Sequence, residues 1–261
     1  MARYNARLVK HVASEVAAQD QPYVLDLGCG SRAAVPLGLT SLGIPNVGMD
    51  YDTVAARPSV GTIVRVAKRN GVERAAKTAA RMALFDRAFY RDFSRDLGAD
   101  LDWDGLKVED GDAHNLRFED ETFSFVHSVT VFEHLHDVPK AVSEMNRVLR
   151  PGGKAYVVAH LFPSLSGGHA LDYAGNEPPE HTVVPPWDHL RENQFPAHVF
   201  LNKLRADEYV AAFSEHFEIE SLEYRTEGHA LLTPEIREEL SDWSEDDLTR
   251  RLITVTLVKP G

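Results

Sequence analysis

The chain has 261 residues, 43% of them hydrophobic, enough to bury a sizeable core, and one elaborated domain over residues 1–261 is expected. Its formal net charge of −12 disfavours nonspecific binding to nucleic-acid phosphates, and the lone cysteine, Cys29, excludes an intramolecular disulfide. No run approaches the roughly 18 apolar residues of a membrane span and residues 1–20 hold no apolar signal core, so a cytoplasmic chain with no membrane partner is expected.

In chain order, residues 5–18 carry Leu8, Val12 and Val16 at helical spacing, which predicts a first helix. Residues 23–27 read as a buried strand running into Gly28 and Gly30, a tight turn that lets backbone approach a ligand closely. A helix over 34–42 is closed by Gly43-Ile44-Pro45, which turns the chain into a second strand at 46–50. Further strands are predicted at 106–109 and at 122–129, the latter after the turn-like Glu119-Asp120-Glu121. A helix over 138–149 is expected to start at Asp137 as N-cap with Pro139 in its first turn, and to stop at Arg150-Pro151-Gly152-Gly153. Strand five is then 154–160, and two more strands are predicted at 217–224 and 252–258. Such alternation predicts an α/β fold with a parallel sheet covered by helices on both faces.

Two insertions interrupt the pattern. Residues 53–105 hold helical sequence over 72–84 and on to 93, and residues 161–204 are rich in Gly, Pro, His and aromatics. Both leave the carboxyl ends of strands, where open α/β sheets bind ligands, so both are assigned to the substrate, the second as a lid. Residues 53–95 carry ten Lys or Arg against three acids, which reads either as a solvated helical face or as a docking surface for an anionic substrate or an acidic partner face. Ala75, Ala76, Ala79, Ala80, Ala83 and Leu84 form a small-residue face suited either to a homodimer or to burial within the monomer.

The spacing Gly28-x-Gly30-x-x-Ala33, followed by Asp50, formally satisfies the dinucleotide-binding fingerprint. Asp26 argues against that reading. A carboxylate at the same turn repels a pyrophosphate and attracts a ligand carrying ammonium and sulfonium charges.

Taken together, Val24-Leu25-Asp26-Leu27-Gly28-Cys29-Gly30-Ser31, Gly48-Met49-Asp50-Tyr51-Asp52, Gly111-Asp112-Ala113-His114, residues 122–126 and Arg147-Val148-Leu149-Arg150-Pro151-Gly152-Gly153 resemble the class I S-adenosylmethionine-dependent methyltransferases, over roughly residues 20–160. The resemblance implies a Rossmann-like seven-stranded, mostly parallel sheet in the order 3-2-1-4-5-7-6, with strand seven antiparallel. It places Asp26 near the methionine ammonium, Gly28 and Gly30 beneath the cofactor, Asp50 on the ribose hydroxyls, Asp112 and Ala113 beside adenine, and adds Tyr51 and Ser128 as cofactor contacts. Two positions depart from the family pattern. Arg32 stands where a third glycine is frequent, so its side chain either points away from the cofactor or binds the methionine carboxylate. Ser124 replaces an acid at the start of strand four.

Methyl transfer from a sulfonium is an in-line displacement, and an alcohol acceptor also needs a general base. His134, His160 and His169 are the candidate bases; Glu133, Asp172, Trp187 and His189 are candidate substrate contacts. Glu133-His134 also resembles part of the metal-binding loop of the ubiquinone-pathway O-methyltransferases, with Thr130 standing where that loop has another glutamate, so Mg²⁺ is an expected cofactor to test. His and amide groups among the aromatics of the second insertion suit a polyhydroxylated acceptor. The expectation is therefore O-methylation of a small molecule, a saccharide or glycoside favoured, with N- or C-methylation of a metabolite, or a cofactor-binding chain without transfer, as alternatives.

Overall fold

The computed structural model describes residues 1–51, 63–64, 67–68, 71–72, 75–76, 79, 85–170 and 184–261. A seven-stranded sheet runs in the order β3-β2-β1-β4-β5-β7-β6, formed by β1 (Val24–Leu27), β2 (Asn46–Asp50), β3 (Val108–Asp110), β4 (Phe123–Val129), β5 (Leu149–His160), β6 (Glu218–Thr226) and β7 (Arg250–Val258). The strand order is the expected one. β1 pairs in parallel with β2 and β4, β2 pairs in parallel with β3, and β7 is antiparallel to both β5 and β6. Two compact units divide the chain, Met1–His127 and Ser128–Gly261.

In the first unit, α1 (Ala2–Val16) buries Ala6, Val9, Val12 and Val16, a stripe of three- and four-residue steps. The stripe includes Ala6 and Val9 in place of the expected Leu8, because the small side chains let α1 lie close to its neighbours. Those neighbours are α2 (Ala34–Ser41) and α3 (Arg87–Leu97). Gly38 of α2 has no room for a side chain: a Cβ there would come 2.5 Å from Val9. α3 brings Phe89, Tyr90, Phe93 and Leu97 to the same core. Of the small-residue face, Ala75 is buried and Ala76 exposed, whereas Ala80, Ala83 and Leu84 lie outside the described residues.

In the second unit, α4 (Val138–Val148) starts where predicted, with Asp137 accepting from Lys140 N–H at 3.0 Å. Its last turn is satisfied by Lys259, whose ammonium donates to the carbonyls of Asn146 and Leu149 at 2.9 and 2.7 Å. β5 begins at Leu149, five residues before the predicted start. The helix stops before Arg150-Pro151-Gly152-Gly153 as expected, and this segment also extends the ladder, because Gly152 N–H donates to Lys259 O and Lys259 N–H to Gly153 O. α5 (Ala206–Ser214), α6 (Pro234–Glu239) and α7 (Glu245–Thr249) were not anticipated. α6 and α7 start at Thr233 and Ser244, both side-chain caps. Among the described residues no helix is long and apolar enough to cross a membrane.

Candidate active site

The turn after β1 is held by backbone. Gly28 and Cys29 donate to Met49 O at 2.7 and 3.0 Å, and Gly28 and Gly30 take φ of +81° and +66°, conformations that suit glycine. Asp50, closing β2, accepts from Gly30 N–H through Oδ2 at 2.8 Å, so the second acid of the motif braces the glycine turn directly. Gly48 and Gly111 are required by close packing: a Cβ would lie 2.6 Å from Pro36 and 2.2 Å from the Met49 sulfur, respectively. Asp112 accepts from the backbone N–H of His114 at 2.9 Å and from its ring at 2.7 Å, and the backbone bond first, then the ring, holds its carboxyl below the usual range. Ala113 beside it is buried.

Asp26 is engaged inside the sheet. Its side chain is buried, and Oδ1 lies 2.6 Å from Nδ1 of His127, the residue paired with it on β4. Asp26 therefore ties β1 to β4 beneath the turn. His127, read from the sequence only as part of a strand, is the buried partner of the motif's first acid, a contact the sequence did not reveal. Arg32 is held by its neighbours: its Nε donates to Asp86 at 2.9 Å and its guanidinium lies over the Phe89 ring at 4.7 Å. Ser124 accepts from Tyr23 N–H at 3.0 Å, a structural use of the position that lacks an acid. The Tyr51 side chain is 82% exposed, and Ser128 is fully buried.

The second unit gathers the other candidates. After β4 the chain turns sharply at Thr130, φ +56°, with its N–H on Val158 O at 2.8 Å, and enters the short 3-10 turn Phe132–His134. Asn202 clamps this turn: its backbone N–H donates to Glu133 O at 3.0 Å and its amide to Phe132 O at 2.7 Å, while Tyr209 donates to its side-chain oxygen at 3.2 Å. His134 Nδ1 lies 2.9 Å from the carbonyl of Phe200, which can only accept, so Nδ1 carries a proton and, in the neutral ring, Nε2 is the nitrogen with the lone pair. The His169 ring sits edge-on to those of His160 and His134, with centroids 4.9 and 5.2 Å away. His169 itself has φ +53°, a strained position for a residue other than glycine.

Glu133 is 3% exposed, and among the described residues neither carboxylate oxygen makes a hydrogen bond of normal geometry, although the N–H groups of Glu133 and His160 lie close enough to favour its charged form. Burial outweighs them and pushes the carboxyl up to about 7. Burial first, then His169, Arg251 and His134, pulls His160 down to about 3, so its imidazole is neutral. Burial likewise lowers His189 to about 4, against its hydrogen bond from Nε2 to Phe162 O at 2.8 Å.

His189 and Trp187 do not share a role. His189 lines a cavity of about 390 Å³ together with Phe162, Asn193, Val199, Phe200 and Lys203. Trp187 is instead fully buried against Leu165, Leu232, Leu240 and Leu248, its indole donating to Leu248 O at 3.1 Å, so it holds the segment in place and meets no ligand. Asp172 lies outside the described residues. Donor atoms of Glu133 lie within 4.8 Å of donor atoms of His160 and His169, while His134 meets Phe200 O through Nδ1.

Known proteins resemble the chain in part of its sequence and in its fold. Residues 71–157 match the family described as Methyltransferase domain. In this segment, a third of the chain, and in its strand order the chain is similar to the class I S-adenosylmethionine-dependent methyltransferases. A sterol 4-C-methyltransferase of Caenorhabditis elegans, strm-1, is 24% identical over 182 residues, 66% of this chain and 44% of that protein. The chain thus spans less than half the length of this relative. Among solved structures, a geranyl diphosphate C-methyltransferase from Streptomyces coelicolor, in complex with Mg²⁺, geranyl diphosphate and S-adenosyl-L-homocysteine, aligns over 97% of this chain and 77% of its own at 12% identity and TM-score 0.51. The [4+2]-cyclase SpnF aligns over 98% of this chain and 81% of its own at 15% identity and TM-score 0.50. These structural likenesses establish the fold; a cyclase among them shows that the fold alone does not fix the reaction.

Proposed function

We propose that the chain binds S-adenosylmethionine through the turn of Gly28 and Gly30 with Asp50 and Asp112, and transfers its methyl group to a hydroxyl of a small acceptor. The observation that carries the choice of a hydroxyl is the contact of His134 Nδ1 with Phe200 O at 2.9 Å. It fixes the tautomer whose Nε2 can take the acceptor's proton as the oxygen attacks the sulfonium methyl. The neutral thioether leaves, and the proton stays on the imidazole until solvent removes it.

The cavity beside His189 supports an acceptor with an apolar body. Phe162, Pro196, Val199, Phe200 and Leu201 make most of its wall, and Lys203 and Asn193 give it polar points. A bare saccharide would set hydroxyls against those walls, whereas a glycoside or another hydroxylated molecule with an apolar part suits them. The isoprenoid and sterol substrates in the names of two relatives agree with an apolar acceptor and favour a second reading, transfer to carbon.

His134→Gln separates the two. With a hydroxyl acceptor it is expected to lower kcat by roughly 10²–10⁴ while S-adenosylhomocysteine binding is retained. Unchanged kcat on the identified acceptor would remove His134 as base. Transfer to a carbon atom, read from the product's NMR spectrum, would establish the second reading.

A further inference from the structure

Two imidazoles and a carboxylate converge in the second unit: donor atoms of Glu133, His160 and His169 all lie within 4.8 Å of one another. We infer that these three side chains bind one divalent ion of the borderline transition type, Zn²⁺ or its congeners, and not Mg²⁺. The inference stands on the second unit alone and goes beyond the proposed transfer.

Glu133 is the strongest ground for it. A carboxylate that is 97% buried normally has its oxygens hydrogen-bonded, because desolvating it otherwise costs several kcal/mol. Here both oxygens, and Nδ1 of His160, are buried with no such bond among the described residues. A cation would satisfy these lone pairs together. The cation already nearby does not do so: Arg251 is set against Glu227, itself buried, at 3.5 Å.

The donor set selects the ion. Two nitrogen donors and one oxygen suit Zn²⁺, Co²⁺ or Mn²⁺, whereas Mg²⁺ prefers an octahedron of oxygens and sheds its water reluctantly. Ligand bonds of roughly 2.0–2.2 Å put neighbouring donors about 3.4 Å apart, so closing on the ion takes rotation of the side chains by about an ångström. The His169 ring already stands beside that of His160, with centroids 4.9 Å apart. Three protein ligands leave a coordination position open.

The test uses the full chain, freed of metal by chelation and titrated with Co²⁺ as the spectroscopic probe. Saturation at one equivalent is expected, with visible bands of nitrogen- and oxygen-ligated Co²⁺, displacement by Zn²⁺ but not by excess Mg²⁺, and a Tm rise of roughly 5 °C. Glu133→Gln and His169→Asn, each first shown by circular dichroism to be folded, are expected to weaken Co²⁺ by more than the roughly 10–100-fold that loss of a supporting neighbour produces. Absence of a saturable site, displacement by Mg²⁺, or unchanged affinity in both variants overturns the inference. S-adenosylhomocysteine binding, measured on the same samples, reports on the methyl-donor reading separately.

Discussion

Asp26 and His127 occupy paired positions on β1 and β4, and their side chains meet at 2.6 Å with almost no exposure. The carboxylate that the family motif offers to a ligand is thereby bound into the sheet. His127→Phe would strip a buried acid of this donor at a cost of about 3–5 kcal/mol, and His127→Asn, which retains an N–H, less. Chemical denaturation midpoints check the order wild type, Asn, Phe. A Phe variant as stable as wild type would contradict it.

Asp50 has a different function from Asp26. It braces the glycine turn through Gly30 and faces the place proposed for the ribose hydroxyls. Asp50→Ala is expected to raise the Kd for S-adenosylhomocysteine roughly 10–100-fold, about 1.4–2.8 kcal/mol, and Asp50→Asn to sit between the two. Isothermal titration reads the difference.

Cys29 lies between these acids. Burial first, then the charges of Asp26 and Asp50, pushes its thiol far up, so little thiolate forms near neutral pH. Iodoacetamide at pH 8 is expected to label the native chain far more slowly than the chain in denaturant, with mass spectrometry as the readout. Equal rates would show that the turn is open to solvent.

His189 makes stability depend on acid. An unfolded histidine takes up its proton near pH 6.5, whereas the folded one does so only near 4, because burial disfavours the imidazolium. Between those values the unfolded state binds more protons. Stability from this group is therefore full above about pH 6.5 and falls, by up to roughly 3 kcal/mol, as pH drops towards 4. His189→Gln, able to keep the bond to Phe162 O, is expected to flatten that part of the profile.

Several elements were legible because their signals are local. Apolar runs gave β1 and β2, glycines the turn, and Asp137 the start of α4. The Asp26–His127 pair was hidden because a histidine inside an apolar run has the same pattern as any strand residue, and only the register across 101 positions joins the two. The same holds for Glu133, His160 and His169, named separately from the sequence but brought together by β5 and the strained turn at His169. Trp187 misled: an indole among prolines reads as a ligand platform, and long-range packing on Leu240 and Leu248 made it core. β5 began early because Lys259, from the far end of the chain, pairs with Gly152 and Gly153.

Calorimetric titration of the wild-type chain with S-adenosylhomocysteine, and separately with NAD, tests the central claim most directly. The account predicts saturable one-to-one binding of S-adenosylhomocysteine, weakened in Asp50→Ala, and no heat from NAD. Binding of NAD without S-adenosylhomocysteine would contradict it.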